Sequence, residues 1–233
     1  MLIPLTHQAL DKIIPAIATG AQYASCWGRA RDVLRRLLIS VVALTIFWLI
    51  GKLLGSGSVA IKLIFDIIAG LYWLWSPIYW ANLRNSSYRR FPYSGFWQGR
   101  VLDIYLTEEI VGEEQTVNKH GELVVIENRE RRINLEVGDD EQFRARIKAP
   151  LKRVYQVINP GDIAEIVILS KQPDLSRIEK ITDVYLPQHN LWLGEYPYLR
   201  RDVFTQVSDE LGGVKGKKTY RRHHPHRVQQ RRS

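Results

Sequence analysis

The sequence predicts a membrane protein in which a two-helix transmembrane hairpin is followed by a small, mainly-β (barrel or sandwich) cytoplasmic domain. Three observations carry that expectation: two adjacent apolar runs early in the chain, arginine-rich flanks outside them, and a later series of short segments of alternating polarity. The 233 residues are 45% hydrophobic and 24% charged, enough for one ordinary domain and its core. Lys and Arg number 33 against 24 Asp and Glu, and the formal charge of +9 points toward a polyanionic partner. The single cysteine, Cys26, excludes a disulfide framework and metal sites built from several cysteines.

Residues 1–36 read as an N-terminal surface segment, partly helical. Pro4, Pro15, Gly20 and Gly28 interrupt any long helix, while Ile13, Ile14 and Ile17 suit short helices lying on a bilayer or against the hairpin. Residues 37–83 form the expected hairpin. Leu37 to Gly51 carries no charge, and the run reaches Gly55 if Lys52 snorkels. After the turn-like GSGS at 55–58, the stretch Val59 to Ala81 holds only two charges, Lys62 and Asp66. Their four-residue spacing puts them on one helical face, where they can pair. Trp73, Trp75, Tyr79 and Trp80 then supply an interfacial aromatic belt. The first run starts too late, and lacks the cleavage pattern, for a simple secretory signal; a helical hairpin buried in a soluble domain is the alternative. Arg29, Arg31, Arg35 and Arg36 before the hairpin, and Arg84, Arg89 and Arg90 after it, place both termini on the cytoplasmic or stromal side.

Residues 84–100 read as a membrane-proximal connector, with Pro92 and Gly95 among aromatics. The mainly-β soluble domain covers 101–210. Its expected strands are 101–106, 122–127, 132–137, 142–149, 153–158 and 164–170, with a turn at Asn159, Pro160 and Gly161. An edge strand at 181–187 ends at Pro187, and a helix begins after Pro197 and stops near Gly212. Residues 211–233 form a basic, disordered tail with eight Lys or Arg and no acid, so the positive charge resides mainly there.

The familiar catalytic constellations are missing. There is no GxxxxGK[ST], no GxGxxG and no HExxH, and HHPH at 223–226 reads as part of the basic tail. Asp139, Asp140 and Glu141 lack the spacing of a calcium loop, and the acidic group Glu108, Glu109, Glu113 and Glu114 reads as solvated surface or as a contact for a basic partner. Cys26 beside arginines has no histidine or second thiol to support covalent chemistry. The expectation is therefore a non-enzyme without cofactor, metal or small-molecule substrate.

Partner contacts are expected instead. Asp66 and Trp73 serve a helical contact, with Ala69 and Gly70 permitting close approach, and Arg89 and Arg90 orient the chain at headgroups of anionic lipid. Trp97 and Trp192 serve membrane-near packing or partner contact, with an ordinary core position the alternative for each aromatic, and Arg221, Arg222, Arg231 and Arg232 are placed to meet phosphates of lipid or ribosomal RNA. RARDVLRRLLISVVALTIFWLIG, SPIYWANLRNSSYRRFPYSGFWQGR and the strand-rich remainder together resemble uncharacterised two-pass integral membrane proteins of cyanobacteria. That resemblance implies a thylakoid membrane and photosynthetic complexes, and transfers no functional residue. The leading function is a non-catalytic auxiliary subunit or assembly factor docked on a large integral membrane protein complex. The alternatives are a membrane-tethered RNA or ribosome adaptor acting through the tail, and an accessory subunit of a transporter.

Overall fold

The computed structural model describes residues 1–53, 59–117, 123–139 and 143–221. Strand β1 (Leu2–Leu5) and helices α1 (His7–Ile13), α2 (Gly20–Trp27), α3 (Ala30–Leu53), α4 (Val59–Gly70) and α5 (Tyr72–Arg89) come first. Strands β2 (Tyr93–Val117), β3 (Leu123–Gly138), β4 (Arg144–Pro150), β5 (Ile163–Ser170), β6 (Ile178–Ile181), β7 (Val184–Leu186) and β8 (Leu191–Leu193) follow, and helix α6 (Arg201–Arg221) comes last. The strands make one eight-stranded sheet in the order β4-β3-β2-β5-β7-β8, with β1 added to β2 and β6 to β5, and all pairings are antiparallel.

Strand β5 shows why the sheet is buried on both sides. Its sequence IAEIVILS is apolar almost throughout, as a doubly covered strand requires, and every residue after Ile163 is buried. Alternation then sends Ala164, Ile166 and Ile168 into one core and Val167 and Leu169 into another. Phe96 and Trp97 of β2 divide in the same way. The first core gathers Trp97, Leu135, Ile147, Val184 and Leu193 under Tyr155, Ile158 and Leu175; the second is closed by Leu10, Ile13 and Ile14 at α1 and by Phe204 of α6.

The expected small barrel or sandwich is thus corrected to a large open sheet: no ladder joins β4 to β8. Strand β2 runs 25 residues and takes in most of 91–100, because Tyr93 to Arg100 pairs with β5 on one side while Leu2 to Leu5 pairs with Trp97 to Ser94. The segments 122–127 and 132–137 join in one strand, since Asn128 to Arg131 continues the ladder against Gly112 to Glu108. Residues 153–157 form a 3-10 turn rather than a strand, burying Tyr155 and leaving Val154 and Val157 exposed.

The helical layer also departs from the expectation of two straight spans. Helix α3 has 24 residues, with a mean hydropathy of 2.1 over its most apolar 18, and among the described residues it is the one helix long and apolar enough by itself to cross a membrane. The second apolar stretch is two helices bent by 71° at Leu71, which pass the same test only when taken together. Helix α4, with 12 residues, reaches about 18 Å against a hydrocarbon thickness of about 30 Å. The break is stabilised locally: the Trp73 N–H donates to Ser40 Oγ of α3 at 3.3 Å, and Trp75 Nε1 donates to the Ile68 carbonyl at 2.9 Å. Such partners satisfy backbone groups freed where a helix ends. A two-pass hairpin with both termini cytoplasmic therefore gives way to one candidate span and one bent pair, and the structure does not support the integral-membrane topology expected from the flanking charge.

A cleft at the open edge of the sheet

The two sheet ends, β4 and the segment after β8, approach without pairing, and a cavity of about 400 Å³ occupies the gap. Arg146, Ile147 and Lys148 of β4 form one wall, Gly194 to Tyr196 the opposite wall, and Arg84 and Tyr88 of α5 the side toward the helical layer. Arg132 bridges the gap through its 3.2 Å ion pair with Glu195.

Asp183 lies at the base. It sits between β6 and β7, is 4% exposed, and lines both this cavity and a second of about 290 Å³. Its Oδ1 accepts the backbone N–H groups of Tyr198 at 3.0 Å and Leu199 at 3.2 Å, whereas its buried Oδ2 has no hydrogen-bond partner. Burial pushes this carboxyl up to about 7, against the opposing pull of those N–H groups and the charge of Arg201. At neutral pH Oδ2 therefore samples both a proton-donating and a proton-accepting form. Gly194 makes the approach possible: a Cβ there would stand 2.6 Å from Asp183 Cβ.

The buried Tyr196 hydroxyl is turned to the Cys26 thiol, and the Arg84 guanidinium lies over its ring at 5.1 Å. Burial raises the Tyr196 phenol, and raises the nearby Cys26 thiol despite the charges of Arg84 and Arg36. Arg146 is paired with Glu136 at 2.9 Å and Lys148 with Glu109 at 2.8 Å, while no ion pair engages Arg84 among the described residues. The wall behind is aromatic, with Tyr88 stacked on Tyr198 at 3.8 Å.

Helix α2 holds the segment that carries these groups. Thr19 and Gln22 form a capping box, and the fully buried Gln22 side chain donates to the carbonyls of Pro197 at 2.9 Å and Tyr198 at 3.2 Å. Asn85 of α5 donates back to Gln22 Oε1 at 2.9 Å. One glutamine thereby ties α2, α5 and the Asp183-bound loop together.

The residues singled out from the sequence are scattered. Asp66 is half-buried on α4, and among the described residues no ion pair joins it to Lys62, whose side chain lies over Gly51. Leu44 of α3 packs over Gly70, and Trp73 meets Trp27 edge-on at 6.1 Å. Arg89 binds Asp11 at 2.8 Å, and Arg90 is exposed. Trp97 is 1% exposed in the first core, where its Nε1 donates to Asp139 at 2.7 Å, so it presents no surface to a membrane or partner. Trp192 packs on Tyr185 and Phe204 under Arg201. The backbone of Arg221 ends α6, whereas Arg222, Arg231, Arg232, HHPH and the GSGS turn lie outside the described residues. Among the described residues no cluster of His, Cys, Asp or Glu is able to hold a metal ion. Asp183 escaped the sequence reading, although a lone carboxylate inside the apolar segment ITDVYLP was its signal.

An open antiparallel sheet with a polar cleft at its unpaired edges and an apolar helical layer alongside defines the class of protein. The chain belongs to a family of unknown function, DUF8619, whose model matches residues 3–219. No curated protein and no solved structure matches it. The family match lends no support to the resemblance to cyanobacterial two-pass proteins, nor to a thylakoid, photosynthetic or assembly-factor assignment, and those expectations are withdrawn.

Proposed function

We propose that the chain is a non-catalytic auxiliary subunit that docks through its helical layer onto an apolar surface of a larger membrane protein complex and presents the sheet beside it. One observation carries the reading: only 6% of the apolar window of α3 is buried, and Val42, Ile46, Phe65, Ile68 and Trp80 are each about half exposed. Contiguous apolar exposure on this scale marks an interaction surface, because each Å² removed from water contributes about 25 cal/mol. The layer is firmly joined to the sheet through Gln22 and Asn85, so its docking fixes the position of the cleft.

The test is affinity isolation of tagged full-length chain after gentle solubilisation, with stoichiometric mass spectrometry, beside a variant carrying Val42→Arg and Ile46→Arg. A partner recovered at fixed ratio with the native chain and lost with the variant is the expected result. Equal recovery with both forms, while the variant's sheet remains folded by circular dichroism, overturns the reading.

A further inference from the structure

We infer that the cleft between β4 and β8 binds a small zwitterion of the phosphoethanolamine class, its ammonium at Asp183 and its phosphate at Arg84, either as a free compound or as a lipid headgroup. The inference stands independently of the docking surface on α3.

Two unused groups of opposite charge share one cavity. Asp183 Oδ2 is buried without a hydrogen-bond partner, and Arg84 carries a guanidinium that no carboxylate neutralises among the described residues; the Tyr196 hydroxyl is turned to the Cys26 thiol. An orphaned buried carboxylate oxygen is costly and uncommon in native proteins, and one at the base of a cavity indicates a complementary polar guest. The carboxylate and the guanidinium are of opposite sign, so the guest carries both an N–H cation and an anion. Asp183 Oδ1 is already saturated by two backbone N–H groups, which holds the carboxylate in place and leaves Oδ2 for the ligand.

The anionic end is best matched by phosphate. Arg146 and Lys148 line the same cavity and remain about half exposed, but each is paired with a carboxylate, so they offer N–H donors to a phosphate while Arg84 supplies the uncompensated charge. The cavity of about 400 Å³ has the size of a small-molecule site. Its position beside α5, at the seam between the apolar helices and the sheet, suits a headgroup whose tails follow the helical layer as well as it suits a soluble compound.

Isothermal titration of the full-length chain in detergent with phosphoethanolamine, inorganic phosphate and ethanolamine tests this directly. A second arm measures binding to nanodiscs of phosphatidylcholine with and without phosphatidylethanolamine. Phosphoethanolamine is expected to bind saturably, at least about tenfold more tightly than either half alone. Asp183→Asn, which keeps an acceptor for both N–H groups, should abolish the preference over inorganic phosphate; Arg84→Gln, at an exposed position, should weaken binding about tenfold. Binding confined to phosphatidylethanolamine discs assigns the lipid source, and binding of the soluble compound assigns the free one. No saturable response in either arm, equal affinity for inorganic phosphate, or indifference to Arg84→Gln overturns the inference.

Discussion

At the scale of single residues, the chemistry concentrates on Asp183 and the glycine that lets the chain close over it. An unfolded aspartate titrates near 3.9, whereas burial holds this one near 7, so between about pH 4 and pH 7 the folded chain binds the extra proton. Stability contributed by this group is therefore full below pH 4 and falls as pH rises to 7, with no further change above. Thermal unfolding across that range should show Asp183→Asn matching the native chain at low pH and exceeding it above neutrality; a native-like slope in the variant would refute the assignment. Gly194→Ala drives a methyl against the Asp183 Cβ and Cα, and should cost about 2 kcal/mol in denaturant unfolding through overpacking. Gln22→Leu leaves the Asn85 amide and the Pro197 carbonyl without a partner in the interior and should cost about 3 kcal/mol, with loosening of α2 visible by hydrogen exchange. Of these roles only that of Asp183 has a local signal, its place as the lone carboxylate of ITDVYLP. Asp183 and Gln22 are separated by over 160 residues, and they meet only through the Pro197 to Leu199 loop that both bind.

At the scale of elements, polarity alternation located most strands, and it failed where pairing rather than pattern decided the outcome. Strand β2 starts at Tyr93, directly after Pro92, and runs past Glu109 because β1 and β5 supply partners at one end and β3 at the other. The segment 153–158 alternates like a strand, yet β4 already ends at Pro150 and Tyr155 is needed in the core, so the chain tightens into a 3-10 turn. The α4–α5 break depended on Ser40, a residue of another helix, and had no local marker beyond Gly70. Helix α6 is held by Phe204, fully buried against Phe96 and Trp192. Phe204→Ala should destabilise the chain by about 4 kcal/mol and strip amide protection from Arg201 to Leu211 before the sheet opens.

At the scale of the whole molecule, two surfaces follow from what the sheet leaves undone. Failure of β4 to pair with β8 opens the polar cleft, and the apolar side chains of α3 to α5 that join neither core are left uncovered. A charge on that layer, as in Val42→Arg with Ile46→Arg, should abolish docking without lowering the melting temperature of the sheet, because those side chains are about half exposed and belong to neither core. The sequence by itself determined the apolar character of residues 37–83, the positions of most strands and the concentration of basic charge near the end, since these depend on local composition and period. Only the tertiary structure decided that the second apolar stretch bends, that the sheet stays open, and that Asp183, Tyr196 and Arg84 share a cavity. Bend, edge and cavity each arise from contacts between segments far apart in the chain, and no local pattern records which distant partner a backbone group or side chain will find.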